Sequence, residues 1–404
     1  MTQWNDEFQR VWDNLPKSAR GEIEQALKRM PGGLKGWREL IDQAAEHLRL
    51  AAGTKRKVAI VGPANAGKST LYNALIHPEE EPAEVSAVPG TTREVQSADA
   101  GVFAMVDTPG TDTEGEEGKT DREKALLAAR DADLLVLVLD ASHGVRNPER
   151  ALHQELKALG IPMIVALNKT DLVGEEGPAV AGRAIGTLKV SHDEMIPISA
   201  LHREGLEDLL FAMVRKEPEL LVALAEELPA YRRSLAQTVI VRGASAAGAI
   251  GFTPLPIIDF IPLLGVQATM VLGIARVYTK KITFSRAREL IATFGVGALG
   301  RLAFYELSKF GGPPTWLLSA GIAAGTTAAL GYAAVAWFEG DRKLSNAEMR
   351  ALMIRTSQTM IERLKSLGKR KPKKKELQEQ LDEALEDLPK EQLDEALEEL
   401  PSED

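Results

Sequence analysis

The chain has 404 residues, 44% of them apolar and 26% charged, with a formal net charge of −9 and no cysteine. Such a length accommodates two or three domains with sizeable cores, and the missing thiols exclude disulfides and thiolate metal sites while suiting a reducing cytosol. The acidity is local: Glu376 to Asp404 holds 13 acids and one base, a net of −12, leaving about +3 elsewhere, so no strongly basic nucleic-acid surface is evident.

The polar start, Met1-Thr-Gln-Trp-Asn-Asp-Glu7, has no apolar core behind it, so no signal peptide is expected. Residues 1–53 read as helices. Trp4, Phe8, Val11, Trp12 and Leu15 share one helical face, and beyond Pro31-Gly-Gly33 a second face gathers Leu34, Trp37, Leu40, Ile41 and Leu48. These helices pack on a neighbouring domain, or serve as a dimerisation or membrane-surface arm. The six histidines show no ligand spacing and read as surface or loop residues.

Lys57-Val-Ala-Ile-Val61 is a strand-like apolar run, and Ser69 to Ile76 reads as a helix. Between them lies Gly62-Pro-Ala-Asn-Ala-Gly-Lys68-Ser69, the G-x-x-x-x-G-K-S pattern. The backbone N–H groups of such a loop, with the positive end of the helix, wrap α- and β-phosphates. Asn65, Ala66, Gly67, Lys68, Ser69 and Thr70 are the candidate phosphate contacts. Lys68 would reach the β- and γ-phosphates, and the Ser69 hydroxyl would ligate Mg²⁺.

From Pro78 to Glu94 a loop carries Thr91-Thr92-Arg93, where Thr92 is the best candidate for a second hydroxyl on the metal. Another strand-like run, Val102 to Val106, leads into Asp107-Thr-Pro-Gly110. A carboxylate at that strand's end can hold magnesium, directly or through water. The Gly110 N–H can meet the γ-phosphate, so the following turn would sense its presence.

A third strand, Pro162 to Leu167, precedes Asn168-Lys169-Thr-Asp171. The two oxygens of Asp171 can accept from guanine N1–H and the 2-amino group together. Adenine has neither donor, so binding it would strand a desolvated carboxylate, a device that rejects the wrong analogue by about 10⁴–10⁵. Ser199-Ala200, after Met195-Ile-Pro-Ile198, would present the Ala200 N–H to guanine O6. The expected nucleotide is GTP, with GDP as product.

Gly62 to Leu75, Pro89-Gly-Thr-Thr-Arg93 and Asp107-Thr-Pro-Gly110 together resemble the Era-like and TrmE-like translation-factor-class GTPases of bacteria, over roughly Lys55 to Lys216. The resemblance implies an α/β P-loop G domain over residues 54–218, a mostly parallel sheet flanked by helices, with Lys68 and Thr92 in catalytic positions. Asn65 matches the asparagine that helps place K⁺ in potassium-activated members. Thr111 stands where Ras-like proteins carry the Gln that orients the attacking water and Era-like ones an apolar residue; Glu114, Glu116 and Glu117 are nearby candidates for that task, or are simply solvated. Slow intrinsic hydrolysis, about 10⁻⁴–10⁻² per second, is expected, accelerated by a partner or by dimerisation through the G domain.

Residues 219–345 are apolar and rich in Gly and Ala. Only Asp259 is charged between Gly243 and Ala275, and Trp316 to Phe338 has no charge over 23 residues, long enough to cross a bilayer core. Gly321-Ile-Ala-Ala-Gly325 suits close helix packing, and Trp316, Trp337 and Phe338 stand where an interfacial belt would. An all-α, membrane-associated domain is expected, the alternative being a buried hairpin in a soluble one. The G domain and Lys369-Arg-Lys-Pro-Lys-Lys-Lys375 both belong on the cytosolic face, so crossings come in even number, with Leu255–Ala275 or Leu290–Leu307 as partner span, or the insertion is re-entrant. Thr253 to Gln267 with Ile274 to Tyr278 is similar to a bacterial domain of unassigned function often fused behind Era-like G domains; the likeness spans about 235–335 and brings no catalytic residues.

Residues 346–375 read as a helix and basic linker, and 376–404 as an acidic tail. The tail repeats itself at a period of twelve: Gln380-Leu-Asp-Glu-Ala-Leu-Glu-Asp-Leu-Pro389 recurs as Gln392-Leu-Asp-Glu-Ala-Leu-Glu-Glu-Leu-Pro401. Helices this short are unstable alone, so the tail is solvated, or folds on contact with a partner. The expectation is a GTP-hydrolysing switch controlling a membrane-associated helical module through an unknown effector; a ribosome or RNA assembly factor and a membrane-remodelling scaffold are the alternatives.

Overall fold

The computed structural model describes residues 56–77, 102–107, 126, 129–252, 260–278, 314–340, 342, 344–367 and 372–386. Helices expected over 1–53, Thr92, Gly110, Thr111, the three nearby glutamates, the Leu290–Leu307 span and the second tail repeat lie outside them. The chain divides into two units, one containing residues 50–238 and the other residues 239–404 with 1–49.

The first unit is built on strands β1 (Val58–Gly62), β2 (Phe103–Asp107), β3 (Leu134–Asp140), β4 (Met163–Asn168) and β5 (Met195–Pro197), all parallel in the order β2-β1-β3-β4-β5. Parallel strands buried on both faces need near-continuous apolar runs, and Leu134-Leu-Val-Leu-Val-Leu139 supplies the central one. One face, with Ala59, Val61, Leu135, Leu137, Leu139, Val165 and Leu167, packs against α2 (Asn147–Ala158) and α3 (Gly177–Leu188) through Leu152, Leu156, Val180 and Ala184. Helix α1 (Lys68–Ile76) packs against β1 and β2, and α4 (Leu206–Lys216) against β4 and β5. The sheet reverses direction of growth at β1, between β2 and β3, and ligands bind such sheets beyond the carboxyl ends of the strands. The phosphate-loop motif, Asp107, Asn168-Lys-Thr-Asp171 and Ser199-Ala200 each stand at or just after one of those ends.

After α4 comes the short helix α5 (Leu220–Glu227), then α6 (Arg232–Gly251), within which the division between the units falls. The second unit continues with α7 (Phe260–Val277), α8 (Thr315–Gly340), α9 (Asn346–Leu364) and α10 (Lys374–Glu386). Helix α9 starts on a capping box, with Ser345 Oγ accepting from the Glu348 N–H and Glu348 accepting from the Ser345 N–H. Helix α8 lies against α7 and α9. The approach to α9 is close enough that a Cβ on Gly325 would sit 2.4 Å from Ser357 Cα. Thr356 Oγ1 donates to the Gly325 carbonyl at 2.7 Å, and Gln267 Nε2 to Thr327 Oγ1 at 3.1 Å, two buried polar contacts that tie α9 and α7 to α8.

Among the described residues one helix, over Trp316–Gly340, is long and apolar enough to cross a membrane, and 89% of its most apolar stretch is covered by other parts of the protein. Trp316 is buried, edge-on to Phe252 at 5.6 Å, rather than standing as an exposed belt residue. The described part of the partner candidate Leu255–Ala275 lies in α7, with its apolar stretch over Gly265–Val277, and residues 253–259 lie outside the described residues. The tail also departs from expectation: α10 begins inside the basic linker and carries Gln380 to Glu386 of the first repeat, with Leu377, Leu381 and Leu385 fully buried. Its leucines recur every four residues and form one stripe, so the bundle supplies the surface that an isolated short helix lacks.

Candidate functional site

Gly62 ends β1 so close to β3 that a Cβ would meet the Val138 carbonyl at 2.3 Å. The chain then turns through Asn65, at φ 63°, and Gly67, at φ 93°, before entering α1. Left-handed backbone is natural for glycine and tolerable for asparagine. The first turn of α1 has no side-chain cap and no acidic residue, and the N–H groups at a helix start favour an anion. Lys68 is 6% exposed, and its ammonium donates to the carbonyls of Gly62 (2.8 Å) and Pro63 (2.7 Å), reaching back over the loop it closes. Ser69 is exposed and Thr70 half-buried in that first turn.

Asn168, 2% exposed at the end of β4, ties three segments together. Its Nδ2 donates to the Ala66 carbonyl at 2.9 Å, and its Oδ1 accepts from the Ala200 N–H at 2.9 Å. The Ala200 N–H, expected to meet guanine O6, donates to Asn168 Oδ1 in this structure. A buried N–H must be paired, and the Ser199–Glu204 bridge folds the turn inward to where Asn168 accepts it.

Ser199 is fully buried, and its hydroxyl donates to Asp171 Oδ1 at 2.6 Å while accepting from the His202 N–H at 3.3 Å. It acts here as the positioner of Asp171, a role the sequence did not signal. Asp171 itself stays half-exposed.

Lys169 also adopts left-handed backbone, at φ 65°, and its ammonium donates to Asp140 Oδ2 at 2.7 Å. Asp140, the last residue of β3, pairs in register with Asn168 and was missed by motif reading. Burial pushes its carboxyl up, but hydrogen bonds from Lys169 and Ser142 and the Lys169 charge outweigh that, leaving it below the ordinary carboxylate value. The available signal was an acid directly following an apolar strand, as at Asp107.

Asp107 pairs in register with Gly62, which puts the ends of β1 and β2 side by side at the start of the loop. Hydroxyl and carboxylate oxygens are the hard donors that suit magnesium, so exposed Ser69 and the strand position of Asp107 fit that ion. Of the residues singled out from the sequence, Asn65 to Thr70, Asn168, Lys169, Asp171, Ser199 and Ala200 gather at one edge of the sheet. Thr92 and Gly110 belong to segments outside the described residues.

Residues 57–169 match the family described as 50S ribosome-binding GTPase, and residues 215–366 match a domain of unknown function, DUF697. GTPase Era of Desulfovibrio desulfuricans is 36% identical over 178 residues, covering 40% of this chain and 56% of Era. GTPase Der of Rhizobium leguminosarum bv. trifolii is 36% identical over 163 residues, covering 39% of this chain and 33% of Der. The chain therefore spans about half the length of the first relative and a third of the second. A crystal structure of an Aquifex aeolicus Era variant bound to GDP and AlF4⁻ is 25% identical, covering 50% of this chain and 68% of that one, at a TM-score of 0.33. Residues 57–169 are similar to P-loop GTPases, and the parallel sheet flanked by helices is their fold.

Proposed function

We propose that this chain binds GTP and GDP and hydrolyses GTP, and that the nucleotide state controls the attached helical unit. The observation that carries the reading is Asn168, which joins the phosphate loop to the Ser199-Ala200 turn across the strand ends. Phosphates lie on the N–H groups of Ala66 to Thr70 and against Lys68. Guanine is read by Asp171, held in place by Ser199, with Ala200 N–H shared between Asn168 Oδ1 and guanine O6. Ser69, Asp107 and Thr92 would hold magnesium, which would supply charge neutralisation at the phosphates. Water attacks the γ-phosphorus as the bond from that phosphorus to the bridging oxygen breaks, the water's proton is given up, and GDP and inorganic phosphate leave. Catalysis rests on positioning and charge stabilisation, and turnover is slow without a partner or a G-domain dimer. Asn65 favours K⁺ over Na⁺ as an activating ion.

The test is GTP turnover by the full chain with and without Lys68→Ala. Turnover lost in the variant, and higher in K⁺ than in Na⁺, is the expected result; unchanged turnover contradicts the assignment.

Membrane association of the helical unit is a second reading, favoured by the length and apolarity of α8, and it would put the protein on the cytoplasmic face of the cell membrane. It requires the helices covering α8 to insert with it. Carbonate extraction decides: protein retained in the membrane pellet supports it, and release defeats it. The family description that speaks of the 50S ribosome matches only residues 57–169, so a ribosomal role rests on the nucleotide-binding half alone, and co-sedimentation with ribosomes would favour it instead.

A further inference from the structure

The bundle has a groove that holds an acidic leucine helix, and the sequence carries the pattern of that helix twice. In the docked copy Leu377, Leu381 and Leu385 are fully buried, and Ala384 nearly so. Gly248 of α6 makes room for Leu381: a Cβ there would lie 2.7 Å from Leu381 Cδ1 and 3.2 Å from Ala324 Cβ of α8. Beside it, the buried Ser245 hydroxyl donates to Asp382 Oδ1, and Ser366 Oγ after α9 lies 3.3 Å from Gln380 Oε1. The groove therefore reads a pattern: Gln380, Leu381, Asp382, Ala384 and Leu385.

Every one of those residue types recurs twelve positions later, as Gln392, Leu393, Asp394, Ala396 and Leu397. Over the ten-residue repeat only Asp387 differs, becoming Glu399. One buried contact is not repeated, since Leu377 corresponds to Pro389.

We propose that residues 392–401 are a second occupant of the same groove in the same chain, taking the place of the first repeat when that repeat is displaced. The energetics set the order. Roughly doubling the length of chain between α9 and the docking leucine lowers its effective concentration by about three-fold. Losing the Leu377 contact weakens docking by about ten- to a hundred-fold. The first repeat holds the groove, and the second keeps it covered once the first is pulled away, so no apolar face of the bundle is left open to water.

A chain without cysteine makes the test clean. Oxidised Ser245→Cys/Asp382→Cys protein forms an intramolecular disulfide, and Ser245→Cys/Asp394→Cys protein forms little. Adding Leu381→Ser and Leu385→Ser to the second pair raises its intramolecular cross-link several-fold on a non-reducing gel. Absence of that rise overturns the proposal, and so does a cross-link running as a dimer, which would assign the second repeat to another copy of the chain. A second measurement does not depend on the disulfide. Removing residues 389–404 leaves the thermal midpoint of the otherwise unchanged protein where it was, but lowers that of the Leu381→Ser/Leu385→Ser variant. An equal effect in both backgrounds, or a double-serine variant that fails to fold although the second repeat is present, refutes the exchange.

Discussion

Replacing Asn168 with alanine probes the joint on which the site depends. The side chain is 2% exposed and makes two hydrogen bonds, to the Ala66 carbonyl and from the Ala200 N–H, each 2.9 Å long. Both partners belong to residues themselves only 2% exposed, so the truncation leaves a buried acceptor and a buried donor unpaired. Each orphaned group costs about 1–3 kcal/mol, giving about 2–5 kcal/mol in all after allowing for a water entering the space. At about 1.4 kcal/mol per decade, GTP affinity falls by at least about thirty-fold, because the phosphate loop and the guanine turn lose their common support. The assay is titration with a fluorescent GTP analogue, paired with guanidinium unfolding followed by circular dichroism. Asn168→Asp is the control: it keeps an acceptor for Ala200 but sets a carboxylate against the Ala66 carbonyl, so it binds no better than the alanine variant. An Asn168→Ala protein with GTP affinity within about three-fold of the parent and an unchanged unfolding midpoint refutes the reasoning.

Gly67→Ala combines a left-handed backbone with a Cβ placed 2.3 Å from Asn168 Nδ2; it lowers GTP affinity by at least ten-fold in the same titration, whereas Gly182→Ala, whose Cβ meets nothing within 4 Å, leaves it unchanged. Asp140 has a depressed carboxyl pKa held by Lys169 and Ser142, so its stabilising contribution is fully present above the ordinary carboxylate pKa of about 3.9 and disappears as pH falls through the lower folded value. Thermal midpoints of the parent and Asp140→Asn should therefore differ by a constant amount at neutral pH and converge under acid. Gly325→Ala drives a methyl to within 2.4 Å of the α9 backbone at Ser357; overpacking of that kind costs about 1–3 kcal/mol, read as a lower thermal midpoint with GTP affinity retained.

Legibility in the sequence followed the strength of local patterns. Strands β1, β2, β4 and β5 were readable to within a residue because each apolar run is bounded by a motif that needs a strand before it. Residues whose work is to support others were not. Asp140 and the Ser199 hydroxyl act through partners 29 and 28 positions away, and only the parallel register of β3 and β4 brings the former to Lys169. The apolar stretch of α8 was ambiguous for a physical reason, since a helix buried on all sides has the composition of one in lipid. The tail misled because an acidic helix with one leucine stripe is unstable alone, and nothing local announces that α6 and α8 leave a groove at Gly248 and Ala324 to receive it.

The central claim, a pocket selective for guanine, is tested most directly by titrating the full chain and its Asp171→Asn variant with GTP, ATP and xanthosine triphosphate. The account predicts that the parent prefers GTP to ATP by several orders of magnitude, and that the variant, whose amide can donate where the carboxylate accepted, moves its preference toward xanthine. A parent protein that binds GTP and ATP equally well would contradict it.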